Sequence, residues 1–178
     1  MSTRFSLNLS LWIGITVGLY VLLYLMSPLG LLGALPCTFV ALPIYLSGGA
    51  RADKFADACL SAVAGVVWGL VFIYLDSLFA HQGLHRLAAS ALSVGLVTIA
   101  LCATHLLFTP WGMFSNIPMM FGAVACTFLV GPDKWFYIMV TLCLGVLLGF
   151  INHSGRKFLD DHGRWTLFRT RKVDDSVR

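Results

Sequence analysis

Gly33-Ala34-Leu35-Pro36-Cys37-Thr38-Phe39 returns further along the chain as Gly122-Ala123-Val124-Ala125-Cys126-Thr127-Phe128. Both copies lie inside long apolar segments. Each is followed by two glycines four apart, Gly65-Val66-Val67-Trp68-Gly69 after the first and Gly145-Val146-Leu147-Leu148-Gly149 after the second. Two matched pairs in the same order read as a duplication. The first question is therefore what a duplicated, greasy unit can be.

The chain has 178 residues, of which 58% are hydrophobic and 11% charged, and its mean hydropathy is +0.86. A soluble domain carries about 25% charged residues. The composition is that of an all-α polytopic membrane protein. The first apolar stretch lacks a small-residue cleavage site and is followed by more apolar spans, so it reads as a retained span and not a cleaved leader. The formal net charge of +4 comes mostly from the last two dozen residues. Beside a span, such a basic tail favours the cytoplasmic side and anionic lipid, and gives no argument for nucleic acid. Cys37, Cys59, Cys102, Cys126 and Cys143 all fall within spans, with no CxxC pair. They read as reduced packing residues.

Six spans are expected. Span one runs from Leu11 to Met26, and Ser27-Pro28 reverses the chain, since a residue before proline avoids the helical region. Span two, Leu29 to Leu46, is interrupted by Pro36 and Pro43. Span three is Phe55 to Leu75, followed by a linker from Asp76 to Arg86 with His81 and His85. Span four is Leu87 to Phe108, span five Met113 to Val130, and span six Trp135 to Ile151. Spans two, five and six are near the short limit for crossing.

An even count puts both termini on one side. The positive-inside rule makes that side cytoplasmic. The inner segments then hold Arg4, Arg51, Lys54 and the basic tail, while the outer ones hold only Arg86 and Lys134. Matching spans two and three to five and six gives two three-span units, residues 1–86 and 87–152, before a tail at 153–178. Three is odd, so the second unit inserts upside down. Inverted repeats are a common transporter plan, with the solute site at the repeat interface near the midplane. The two Cys-Thr-Phe elements would face each other there.

Several segments also resemble the YcdZ-like family of bacterial inner-membrane proteins. They are Ala64-Gly65-Val66-Val67-Trp68-Gly69-Leu70-Val71-Phe72-Ile73-Tyr74, the run from Ile117-Pro118 through Phe128 to the turn before Trp135, and Asn152-His153-Ser154-Gly155. The resemblance spans Leu29 to Leu159. That family is a membrane domain of unknown function, so the resemblance implies a multi-pass topology in the inner membrane and assigns no site residues.

Each candidate residue has a functional and a structural reading. Cys37, Thr38, Phe39, Cys126, Thr127 and Phe128 could line a solute path, with Asn116 and His105 at its margins. Packing is the alternative, because Gly and Ala are the usual contacts between membrane helices and a Thr hydroxyl can bond its own preceding turn. Gly33, Gly65, Gly69, Gly122, Gly145 and Gly149 fit close helix crossing, between repeats or between subunits. His105 is the ionisable side chain furthest inside a span, and Asn116 suits a helix cap. His81 and His85 have metal-ligand spacing, but Gly83 between them argues for a loop. Phe158, Leu159, His162, Trp165 and Phe168 approximate an apolar stripe, as for a tail helix on the membrane surface.

No nucleophile–base pair, phosphate loop, haem or metal motif is present, so no enzyme and no cofactor are expected. Absence of acidic groups deep in a span argues against ion coupling. The reading is a small inverted-repeat channel or facilitator for a small neutral or weakly polar solute, homo-oligomeric in the bilayer. The alternative is a non-transporting scaffold or accessory subunit that recruits a partner through its helix faces and basic tail.

Overall fold

The computed structural model describes residues 3–110, 112–160 and 164–166. Among the described residues there are six α-helices: α1 Thr3–Met26, α2 Leu35–Ser47, α3 Phe55–His81, α4 Arg86–Leu107, α5 Ile117–Val130 and α6 Trp135–Ser154. Four helical stretches are long and apolar enough to cross a membrane, those built on α1, α3, α4 and α6. The other two, α2 and α5, have 13 and 14 residues. At 1.5 Å per residue each is about 20 Å long.

The expected boundaries shift in physically readable ways. Span two is not one interrupted helix. Pro28–Leu32 forms a 3-10 turn, Gly33 adopts φ +71°, and α2 starts only beyond it, with Pro36 in its first turn. Proline is tolerated there because that N–H has no helical partner. Pro43, the other expected breaker, sits inside α2 without ending it. Span five begins at Ile117, four residues later than expected, again with proline in the first turn. Helix α3 runs on to His81, so the linker expected from Asp76 shrinks to residues 82–85. Helix α1 starts at Thr3, well before Leu11.

Contacts fix the helix directions. Gly65 faces Met120 and Ala123, and Gly69 faces Thr127, so α3 and α5 run parallel. Gly145 faces Thr38 and Ala41, and Gly149 faces Tyr45, so α2 and α6 also run parallel. The ring of Phe55 at the start of α3 meets Tyr45 near the end of α2 and Phe150 near the end of α6. The two parallel pairs are thus antiparallel to each other. Trp12 reaches Ile151 and Tyr24 reaches Thr141, which sets α1 against the direction of α6. Trp68 reaches His105 and Asp76 reaches Ser90, which does the same for α4 on α3. Helices α1, α3 and α5 point one way; α2, α4 and α6 point the other.

The core is α2, α3, α5 and α6. Its buried positions correspond pairwise. On α3, positions 58, 61, 62, 65, 66 and 69 are buried; on α6, so are 138, 141, 142, 145, 146 and 149, each 80 later. On α2, Cys37, Thr38, Ala41 and Tyr45 are buried; on α5, so are Met119, Met120, Ala123 and Thr127, each 82 later. The glycine contacts obey the same correspondence. A methyl at Gly145 would lie 2.9 Å from the Ala41 Cβ, and one at Gly65 would lie 2.7 Å from the Ala123 Cβ. This corrects the pairing read from the letters. The equivalent of Pro36 is Pro118, and the two Cys-Thr-Phe elements are seven residues out of register.

Helices α1 and α4 flank this core, each touching it through one stripe. On α4 the buried residues are Ala89, Ser93, Val97, Leu101 and His105, four apart. On α1 the shielded positions 8, 12, 16, 20 and 24 have the same spacing. Side chains four apart form one ridge of a helix. The remaining surface of α1 exposes Leu7, Leu11, Ile15, Leu19, Leu22 and Met26.

After α6, Gly155–Phe158 forms a 3-10 turn beneath Trp12. Leu159 and Trp165 then form an antiparallel bridge, with Thr166 N–H donating to the Phe158 carbonyl. This pairing replaces the tail helix expected from the apolar stripe; its His162 and Phe168 lie outside the described residues.

Candidate functional site

The residues singled out from the letters divide into a packed centre and an outer surface. Cys37, Thr38, Cys126 and Thr127 are all buried. The Cys37 thiol meets that of Cys126 between α2 and α5, and Cys59 meets Cys143 between α3 and α6. Thr127 donates to its own helix at the Ala123 carbonyl (2.9 Å) and covers Gly69. Phe39 and Phe128 are each 44% exposed and look outward, away from this centre. Phe128 packs on Phe72 with ring centroids 4.5 Å apart. Gly65, Gly69, Gly145 and Gly149 are pressed against neighbouring helices of the same chain, and Gly122 lies against Val40 and Ile44. Gly33 makes the turn into α2 and has no near neighbour for a side chain to meet.

His105 closes the last turn of α4. Trp68 Nε1 is 3.2 Å from its Nε2, and Thr109 Oγ1 is 3.0 Å from its Nδ1. An indole N–H can only donate. The Nε2 therefore accepts, and the ring proton sits on Nδ1, donating to Thr109. The Thr109 hydroxyl in turn lies 3.1 Å from the Phe114 carbonyl, where its proton goes. The ring is neutral and fully bonded, tying α3 and α4 to the loop before α5.

That loop is held by a carboxylate the letters did not single out. Asp57 is buried on α3. It accepts from Ser115 N–H (2.8 Å), from Ser115 Oγ (2.7 Å) and from Ser61 Oγ (3.3 Å), with the Lys54 ammonium 3.6 Å away. Asn116 accepts from Met119 N–H at 3.1 Å and so caps α5. Asp57 and Asn116 together satisfy donors that a helix start leaves unpaired. They border an open polar depression of about 300 Å³ with Tyr45 and Lys54 on its wall.

The third polar assembly lies under α1. Its stripe, Trp12, Thr16, Tyr20 and Tyr24, meets α6 and α2 through hydrogen bonds. Trp12 Nε1 donates to the Ile151 carbonyl (3.3 Å), Tyr20 OH pairs with Thr38 Oγ1 (2.7 Å), and Tyr24 OH pairs with Thr141 Oγ1 (2.9 Å). Thr16 Oγ1 is hydrogen-bonded to the Asn152 side chain. Asn152 is 1% exposed, and its Nδ2 has no partner. A groove of about 210 Å³ runs beside this seam, walled by Thr16, Tyr20 and leucines of α1 and α6. Of these residues only Thr38 was a candidate from the letters. The four-residue spacing on α1 was legible; the partners on α6 were not, because nothing in the sequence joins Tyr24 to Thr141. Among the described residues no cluster of three or more metal-ligating side chains occurs.

The fold and these sites define an all-helical, multi-pass membrane protein. The chain belongs to the family described as "Protein of unknown function (DUF1097)", which matches residues 10–156. No curated protein and no solved structure matches it.

Proposed function

We propose that the chain is a facilitator for a small neutral or weakly polar solute, built from two inverted three-helix units, residues 1–86 and 87–152. One observation carries this reading. The first unit points one way, then back, then forward again; the second repeats the sequence of directions reversed, with the same glycine contacts at equivalent positions. Inverted units of this kind recur in proteins that pass solutes, which bind between the units. The half-length α2 and α5, both started by a proline, add support, since broken helices build such sites.

In this reading all six helices cross the bacterial inner membrane with both termini in the cytoplasm. The resemblance to the YcdZ-like family and the cations of the 51–54 loop and the tail support that placement. No cofactor or catalysis is involved. Outward-facing Phe39, Phe121 and Phe128 suit contacts within a homo-oligomer. The scaffold alternative relied partly on glycine faces, and Gly65, Gly69, Gly145 and Gly149 are already engaged inside the chain. The test is stopped-flow shrinkage of proteoliposomes holding the purified protein, with water, glycerol and urea as probes. Permeation above that of empty liposomes is expected for at least one. Equal rates for all three would remove the reading and leave a partner-recruiting role to be sought by co-purification.

A further inference from the structure

The two flanking helices occupy equivalent places yet meet the core with different chemistry along the middle of their stripes. Counting along the buried stripes pairs Thr16 of α1 with Val97 of α4, and Tyr20 with Leu101. The core partners pair by the correspondence already described: Thr38 with Met120, and Asn152 with Phe72. One seam is therefore Thr16, Tyr20, Thr38 and Asn152. The other is Val97, Leu101, Met120 and Phe72. At these four positions the α4 seam is apolar, and the polar contacts on that side lie beyond them, at His105 with Trp68 and at Ser90 with Asp76.

The polar seam is also incompletely bonded. The Thr16 hydroxyl has one proton. It lies 2.9 Å from the Trp12 carbonyl, 3.0 Å from the Ile13 carbonyl, and against the Asn152 amide. If its proton goes to its own helix, the amide must turn to offer Nδ2. With the amide oxygen toward Thr16, the Nδ2 of this fully buried amide is left without a partner. An unpaired buried polar atom is unfavourable and rare. It points to a ligand that supplies what the chain does not.

From these observations we propose that the seam under α1 is the solute path, and that its substrate is a small uncharged molecule with both hydrogen-bond donors and acceptors, of the polyol or carboxamide class. The inference rests on the facilitator reading and places its route away from the packed Cys37–Cys126 centre. Asn152, Tyr20–Thr38 and Tyr24–Thr141 form a ladder of groups along α6, about 16 Å from residue 152 to residue 141. Each hydroxyl pair can exchange its mutual bond for bonds to the solute. The groove beside Thr16 and Tyr20, otherwise walled by leucines and Ile151, lies next to the seam. No charged side chain lines the seam, which disfavours ions.

The experiment compares glycerol and urea permeation in proteoliposomes of the full chain. The variants are Thr16→Val, which is nearly isosteric, Asn152→Leu, and Val97→Ala on the apolar side, each checked for a monodisperse elution profile and native helicity. Wild-type permeation falling at least tenfold in Thr16→Val and Asn152→Leu, and unchanged in Val97→Ala, is the expected result. Seam variants that fold and conduct like wild type overturn the path while leaving the facilitator reading intact. A folded wild-type protein that passes neither probe overturns the path, and one that passes no water either overturns both. If Asn152→Leu does not fold, Thr16→Val alone decides.

Discussion

At the scale of single residues, the tight contacts separate glycines that matter from those that do not. A Cβ at Gly145 would sit 2.7 Å from the Thr38 carbonyl oxygen and 3.0 Å from its Cα, both backbone-bound atoms that cannot swing away. Gly145→Ala should therefore destabilise the protein by about 1–3 kcal/mol, the usual cost of overfilling a packed contact. Gly14 has nothing within 4 Å, so Gly14→Ala should be neutral. Denaturant titration of the two variants in detergent, followed by tryptophan fluorescence, checks the contrast. Asp57 makes a second residue-scale case. Asp57→Ala leaves Ser115 N–H and two hydroxyls without their acceptor and should cost about 2–3 kcal/mol. Asp57→Asn keeps one carbonyl oxygen for Ser115 N–H, and the Ser115 hydroxyl can turn to accept from the new amide, so its loss should be smaller. Equal losses would show that charge, not hydrogen bonding, holds the loop. Asp57 falls near the start of the expected third span, Phe55 to Leu75. Its partner Ser115 lies 58 positions away in a loop, and no local pattern links them.

Among the helices, legibility follows from which force sets each boundary. Apolar length placed α1, α3, α4 and α6, because a long run of apolar side chains in a membrane has no alternative to helix. The start of α2 was misplaced because proline was read as a breaker. At Pro36 it is a starter, and the break belongs to Gly33, whose left-handed backbone favours glycine. The His105 cluster yields a prediction about α3 and α4 together. Nitrogen NMR of the labelled protein should show the neutral ring with its proton on Nδ1. Trp68→Phe removes the N–H that donates to Nε2, and should let the other tautomer appear. An unchanged tautomer in that variant would mean that Thr109 alone fixes the ring.

For the whole molecule, the matching of buried faces was legible and its register was not. A helix turns through almost two full turns in seven residues, so a seven-residue shift brings back nearly the same face. The Cys-Thr-Phe match is such a shift: it aligned the buried faces of α2 and α5 correctly while sliding one helix along the other. Only contacts such as Gly65 on Ala123 and Gly145 on Ala41 fix the slide. The sequence could not reveal the difference between the two seams either, since it depends on which residues of α6 and α2 lie under α1. Topology gives the remaining prediction. With six crossings, a cysteine introduced at Gln82 should react with an impermeant maleimide added outside intact cells, whereas one introduced at Ser47 should react only after the membrane is opened. The same labelling pattern at both sites would break the six-span scheme.

The brevity of α2 and α5 has a consequence for the surrounding lipid. The hydrocarbon layer of a bilayer is about 30 Å thick, and these two helices supply about 20 Å of length each. Phe39 on α2 and Phe121 on α5 are both outward-facing. In the six-crossing scheme proposed above, the bilayer thins locally where they meet acyl chains, at an elastic cost that grows with the mismatch. Two dimples on one small protein make it responsive to lipid chain length, and favour it in thinner membranes. They also give copies of the chain a reason to cluster, since neighbours that share a dimple deform less lipid.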